Sequence, residues 1–191
     1  MREPKPAPLL EWRPPLARTV GRRRRRTLIA GAMGLALLGA AAVLDFAVRP
    51  APRVIWNASA SAPIGLWRVH PGSAIRSGDM VLAYAPAPFR QLAAARRYLP
   101  ANVPLLKRIA ASEGDELCAL GPILFVNVRP IAIRHAADRS HRPLPWWTGC
   151  ERLRAGRLLL LMDVPDSFDG RYFGPIDRAA VIGKATPLWL R

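Results

Sequence analysis

One apolar run decides what this chain can fold into. Residues 28–48 contain a single charge, Asp45, and five consecutive arginines, Arg22 to Arg26, stand just before them. As a helix the run spans about 31 Å at 1.5 Å per residue, which matches the ~30 Å hydrocarbon core of a bilayer. The chain offers no second run of this kind, which excludes a protein of several spans. The arginines fix the orientation by the positive-inside rule, with the N-terminus in the cytoplasm and the remainder outside. A buried soluble helix is the alternative, but no other segment has a matching apolar face to cover it.

A cleaved export signal is a further alternative. Ala40, Ala41 and Ala42 suit a small-residue cleavage site, and Arg25-Arg26-Thr27-Leu28-Ile29 loosely resembles a twin-arginine signal. Anchor and cleaved signal both send residues 49–191 out of the cytoplasm. The two cysteines fit that placement: in an oxidising compartment Cys118 and Cys150 read as one disulfide. Closing that loop contributes about 3–4 kcal/mol in the chain-entropy model. The alternative is two free buried thiols.

Composition narrows the rest. The 191 residues carry 29 basic and 13 acidic side chains, a net charge of +16. A chain 51% hydrophobic is not a disordered basic tail, and 20 prolines exclude a long coiled coil or helical bundle. Residues 1–26 hold nine basic against two acidic residues, a net +7, with five prolines, and are expected to be mostly unfolded. Charge placed beside a span reads as a topology signal on an anionic leaflet, so anionic lipid is the expected partner and no specific nucleic acid is. The other +9 draws on the arginine-rich residues 89–99 and 134–142, expected near lipid head groups. The organisation is therefore a basic cytoplasmic segment (1–26), an anchor or signal (27–48) and an extracytoplasmic domain (49–191).

That domain reads as short strands punctuated by Pro and Gly. Residues 65–69, 80–84, 105–110, 123–128 with 131–133, 158–162 and 181–186 are strand candidates, with a turn at Arg129-Pro130. Residues 89–99 form the one good helical stretch. The fold class is mainly β and antiparallel. His70, His135 and His141 show no metal-ligand spacing and read as surface or loop residues, so no metal or other cofactor is implied.

Three segments carry chemistry. Ser59 and Ser61 lie about ten residues past the apolar run, with Pro63 just beyond. A serine needs a base to become a nucleophile, and no His/Asp set is evident. A lysine serves if its pKa falls to near 7–8, a shift of roughly three units that costs about 4 kcal/mol. Burial supplies that shift by penalising the charged form. Lys107 stands in the most apolar strand of the domain, between Leu105, Leu106 and Ile109. Strand alternation puts Lys107 on the face of Leu105 and Arg108 on the other. The third segment holds Ser167, Asp169, Gly170 and Arg171. Singly these read as a loop serine, a strand lysine and a polar turn whose surface ion pair is worth little.

Together and in this order they resemble the type I signal peptidase family, most closely its conjugative-transfer branch, called TraF. The matching motifs are Ser61-Ala62-Pro63, Gly78-Asp79-Met80-Val81, Lys107-Arg108 with Gly114-Asp115, and Ser167 through Gly174. Branch-like details are the Pro-x-Gly-Leu-aromatic sequence at residues 63–67 and Trp147-x-Gly149-Cys150. The resemblance covers residues 28–187. It implies a signal-peptidase-like catalytic β fold (the S26/LexA type) with one N-terminal transmembrane helix, and a membrane-bound serine endopeptidase with a Ser–Lys dyad.

By resemblance, Ser61 is the nucleophile and Lys107 the general base. The Ser61 N–H and Ser59 hydroxyl form the oxyanion hole, and Ser167 holds the lysine. Asp169 and Arg171 pair to shape the site, and in the TraF branch an aspartate at the position of Asp169 is also tied to activity. Two departures stand out: Ala62 replaces the usual Met, expected to loosen packing, and Gly170 replaces the usual Ser. The implied substrate is an exported pilin precursor in conjugative transfer, trimmed and in some members cyclised, at the bacterial inner membrane with the catalytic domain periplasmic. The alternatives are a general signal peptidase removing export signals and, from another class, a non-catalytic basic membrane component of a DNA-transfer apparatus. Asn57-Ala58-Ser59 also matches a glycosylation acceptor, a pattern common by chance.

Overall fold

The computed structural model describes residues 18–47 and 51–191, in two compact units divided at Pro50. Among the described residues, the first unit consists of the helix α1 (Arg18–Ala47). Helix therefore includes Arg22 to Arg26, which were expected to be unfolded; residues 1–17, with all five N-terminal prolines, lie outside the described residues. Arginine is a good helix former, and Thr27 Oγ1 bonds back to the Arg24 carbonyl at 2.8 Å. Leu28, Met33, Leu35, Leu37 and Leu38 of α1 are exposed. Among the described residues no helix is long and apolar enough to cross a membrane. Described side chains of α1 end at Ala42, short of the end of the expected span 27–48, and Val48 lies outside the described residues.

The second unit, Ala51–Arg191, is mainly β. Its larger sheet uses β1 (Val54–Asn57), β2 (Gly65–His70), β3 (Met80–Ala83), β4 (Leu105–Ala111), β9 (Arg157–Leu161), β10 (Ile176–Asp177) and β11 (Val181–Leu190). Their spatial order is β1-β2-β11-β3-β4-β9-β10, with every pair antiparallel. The smaller sheet, β7-β6-β5-β8, uses β5 (Glu116–Leu120), β6 (Ile123–Val126), β7 (Arg129–Ile133) and β8 (Gly149–Arg152). Helix α2 (Ala87–Ala95) leans on the core through Phe89, whose ring lies 5.8 Å from that of Phe173 in the short α3 (Gly170–Phe173).

The apolar run in β9 is continuous because both of its faces are covered. Leu158 and Leu160 join Val81, Ile109 and Ile176 in one cluster, while Leu159 and Leu161 join Ala111, Leu117 and Leu153 in another. Burying a leucine contributes roughly 1.5–3 kcal/mol, so this strand is a main source of cohesion beside the site. A third cluster unites Ala62, Trp67, Leu106, Met162 and Ala185. Ala62 is 4% exposed there, buried within that cluster.

Several elements differ from expectation. The turn between β6 and β7 falls at Asn127-Val128, both at positive φ, and Arg129-Pro130 opens β7. Proline is tolerated because β7 is an edge strand that does not need its N–H. Strand β11 runs past Thr186 to Leu190 because Pro187 sits at an irregularity, where only β2 is paired with it. His70 is a strand residue, bonded through Nε2 to Thr186 Oγ1 at 3.0 Å, whereas His135 and His141 lie in a loop.

Candidate active site

The site lies where three elements of the second unit meet. The loop between β1 and β2 carries Ser59 and Ser61, β4 carries Lys107, and the turn before α3 carries Ser167, Asp169 and Arg171. Strand β4 pairs Lys107 with Val81 of β3, which puts the lysine on the buried face with Leu105 and Ile109. Arg108 points the other way and meets Asp163 at 2.9 Å near the surface.

Lys107 is only 1% exposed, yet its ammonium has hydroxyl partners. Nζ donates to Ser61 Oγ at 2.9 Å and to Ser167 Oγ at 2.8 Å. Ser167 is fully buried. Burial lowers the Lys107 pKa from 10.5 to about 8; the nearby Asp169 charge opposes that fall and Arg171 adds to it. A lysine in that range is neutral in a useful fraction of molecules near neutral pH and can take a proton from a hydroxyl 2.9 Å away. Ser59 Oγ lies 2.9 Å from Ser61 Oγ and accepts from the Ser61 N–H at 3.3 Å. A hydroxyl and an N–H thus stand together beside the candidate nucleophile, the kind of donor pair that stabilises a developing oxyanion.

Behind the lysine, Asp169 and Arg171 form a buried pair, Nε to Oδ1 2.8 Å, with exposures of 0% and 2%. The surface reading of this pair is therefore wrong. Arg171 also donates to the carbonyls of Met162 at 2.6 Å and Pro165 at 2.8 Å, and Asp169 Oδ2 accepts from the Met162 N–H at 3.1 Å. The pair ties the end of β9 to the turn that presents Ser167. Gly170 lies against β9: a Cβ there would meet the Leu160 carbonyl oxygen at 2.7 Å, which explains why this chain has no side chain at that position.

A cleft of about 940 Å³ opens over these groups. Ser59, Ser61 and Lys107 line it with apolar Leu105, Val164 and Phe168, and one wall is the loop 134–144. Its arginines differ in setting: Arg139 is exposed, Arg142 partly so and Arg134 buried. Arg134 is 2% exposed, donates to the carbonyls of Trp147 and Gly121, and sits 4.6 Å from the Trp146 ring centre. Arg139 and Arg142 pair with Asp166 and Asp138. Reading the sequence as a basic surface loop missed Arg134; the flanking Trp146-Trp147 was the available signal. Cys118 and Cys150 are disulfide-bonded across β5 and β8, at the end of this loop. Among the described residues no group of three or more His, Cys, Asp or Glu could hold a metal ion.

A family model described as signal peptidase, peptidase S26, matches residues 25–190. A plasmid transfer protein TraF of Escherichia coli is 39% identical over 88 residues, 44% of this chain and 50% of that protein. A second Escherichia coli plasmid transfer protein TraF is 32% identical over 165 residues, 78% of this chain and 90% of that protein. A solved signal peptidase I from Enterococcus faecalis V583 is 18% identical with a TM-score of 0.35, covering 60% of this chain and 98% of the other.

Proposed function

The chain belongs to the signal peptidase family, peptidase S26, with TraF-type relatives, and on that premise we propose that it is a membrane-anchored serine endopeptidase that processes an exported pilin precursor in conjugative transfer. The observation that carries the proposal is the buried Lys107 Nζ held between the hydroxyls of Ser61 and Ser167 at 2.9 and 2.8 Å. Pilin as the substrate rests on the relatives, which bear the names of plasmid transfer proteins.

The reaction follows from the geometry. An extended substrate segment lies in the cleft, held through its main chain as an added strand. Neutral Lys107 accepts the Ser61 proton as Oγ attacks the scissile carbonyl. The oxyanion takes hydrogen bonds from the Ser61 N–H and the Ser59 hydroxyl, which turn to it from each other. Lys107 then returns the proton to the leaving amine, and an ester remains on Ser61. Water, or the amine of the pilin itself, attacks that ester; the second route closes a ring. Ser167 keeps Nζ aimed throughout.

Anchoring rests on the exposed apolar side chains of α1 behind Arg22 to Arg26, which would hold the N-terminus on the anionic cytoplasmic side. The Cys118–Cys150 bond fits an oxidising, periplasmic location for the second unit.

The test is pilin precursor incubated with the full chain in detergent and read by intact mass. The expected product is a trimmed pilin, linear or lighter by one further water if cyclised. The rate should also report the base. Because Lys107 must be neutral to act, kcat/KM is expected to climb about tenfold per pH unit below about 8 and to level off above it. A rate independent of pH between 6 and 9 contradicts Lys107 as the base.

A further inference from the structure

We infer that Asn57 is a positioning residue that sets the oxyanion side of the site. Its place in the chain suggests nothing of the kind, since Asn57-Ala58-Ser59 reads only as a chance glycosylation acceptor. Asn57 ends β1 and pairs with Gly65, which begins β2, so the two close the base of the hairpin whose loop carries Ser61. Its carboxamide turns into that loop. Nδ2 lies 3.0 Å from each of the carbonyl oxygens of Ser59, Ala62 and Pro63. Oδ1 accepts from the Ser59 N–H at 3.2 Å.

One side chain thus engages both backbone groups of Ser59 and two carbonyls just past Ser61. Three carbonyl oxygens converge on one point, an arrangement that repels itself unless a donor stands at the centre. Ser59 is exposed, and its other hydrogen bonds stay within its own loop: its carbonyl accepts from the Ala62 N–H at 3.3 Å and its hydroxyl meets Ser61. Its hydroxyl nevertheless stands 2.9 Å from Ser61 Oγ, where an oxyanion donor belongs. Lys107 and Ser167 are held from the other side of the site, by β4 and the turn before α3. Removing the carboxamide should therefore misplace Ser59 and the Ser61 N–H while leaving the base in place.

The inference rests on reading Ser61 as the nucleophile, so the test has two arms. Asn57→Leu, nearly the same shape without donor or acceptor, is compared with the wild type on an internally quenched peptide with alanines flanking the scissile bond. Rates are normalised to active sites titrated with a serine-acylating reagent. Expected is a fall in kcat of about 10²-fold, the scale of one oxyanion donor, with KM and the pH midpoint unchanged. Asn57→Asp, which retains the acceptor for the Ser59 N–H, gives the same kcat loss and stands in if the leucine variant does not fold. The second arm is the crystal structure of the variant, expected to show the Ser59 and Ser61 hydroxyls beyond hydrogen-bond distance and the Lys107–Ser167 bond retained. Wild-type kcat per titrated site, or an unmoved Ser59 hydroxyl, overturns the inference. A wild type without Ser61-dependent turnover overturns the proposed function instead, and the crystal structure then decides the role of Asn57 alone.

Discussion

Replacing Lys107 by methionine is expected to lower the cleavage rate roughly 10⁴–10⁶-fold, the scale seen when a nucleophile's base is removed, while making the folded domain more stable at neutral pH. The loss of rate follows from the geometry, because no other base stands within hydrogen-bond reach of Ser61 among its described contacts. The gain in stability follows from burial. Folding lowers the Lys107 pKa from 10.5 to about 8, and at 1.36 kcal/mol per unit this corresponds to about 3 kcal/mol. The unfolded chain keeps the lysine proton up to about pH 10.5, whereas the folded chain releases it above about 8. The wild type therefore carries the full cost below pH 8 and becomes relatively more stable as pH rises from 8 to 10.5. Methionine removes the cost but leaves the Ser167 hydroxyl without its donor, worth about 1 kcal/mol. The net gain is then about 2 kcal/mol at pH 7, and it disappears by about pH 10.5. Urea unfolding of both proteins at the two pH values measures it. Parallel pH dependence in the two proteins contradicts the burial account.

Arg171→Met is expected to destabilise the domain by about 3–5 kcal/mol, the usual cost of stranding one charge of a buried pair. Asp169 is fully buried and would keep only the backbone N–H groups of Met162 and Arg171 as partners. The carbonyls of Met162 and Pro165 would lose their donor as well. Surviving folded protein should show an altered rate profile. Arg171 lowers the Lys107 pKa and Asp169 raises it, so loss of the guanidinium moves the pH midpoint above about 8. Asp169→Asn moves it the other way. Thermal unfolding and the pH–rate profile check both points; a variant as stable as the wild type, with an unmoved midpoint, contradicts the role given to the pair.

What could be read from the chain follows from the range of the interactions involved. Lys107 in an apolar strand, a serine before a proline and a Ser-x-Asp-x-Arg segment are local patterns, and the strands of the core are local apolar runs. Strands β5 and β8 were not legible: β5 forms a tight hairpin with β6, but its pairing with β8 spans 32 residues at the Cys118–Cys150 bond. β8 is exposed along its length and carries no apolar alternation. Helix α3 is four residues long, below the reach of any periodicity, and exists because Asp169 caps it and Gly170 fits against β9. Arg134 looked like surface charge because only the folded chain brings two carbonyls and the Trp146 ring around it. Asn57 was invisible for a similar reason: its partners are nearby in sequence, but nothing in residue type says that three carbonyls will converge.

The central claim is that Ser61, activated by Lys107, carries the chemistry. Its most direct test is intact-mass analysis of pilin precursor after incubation with full-length wild type and with Ser61→Ala, at equal concentration and at pH 8. The account predicts complete conversion to a trimmed pilin by the wild type and unchanged precursor with Ser61→Ala. Trimmed pilin produced by Ser61→Ala at the wild-type rate would contradict it.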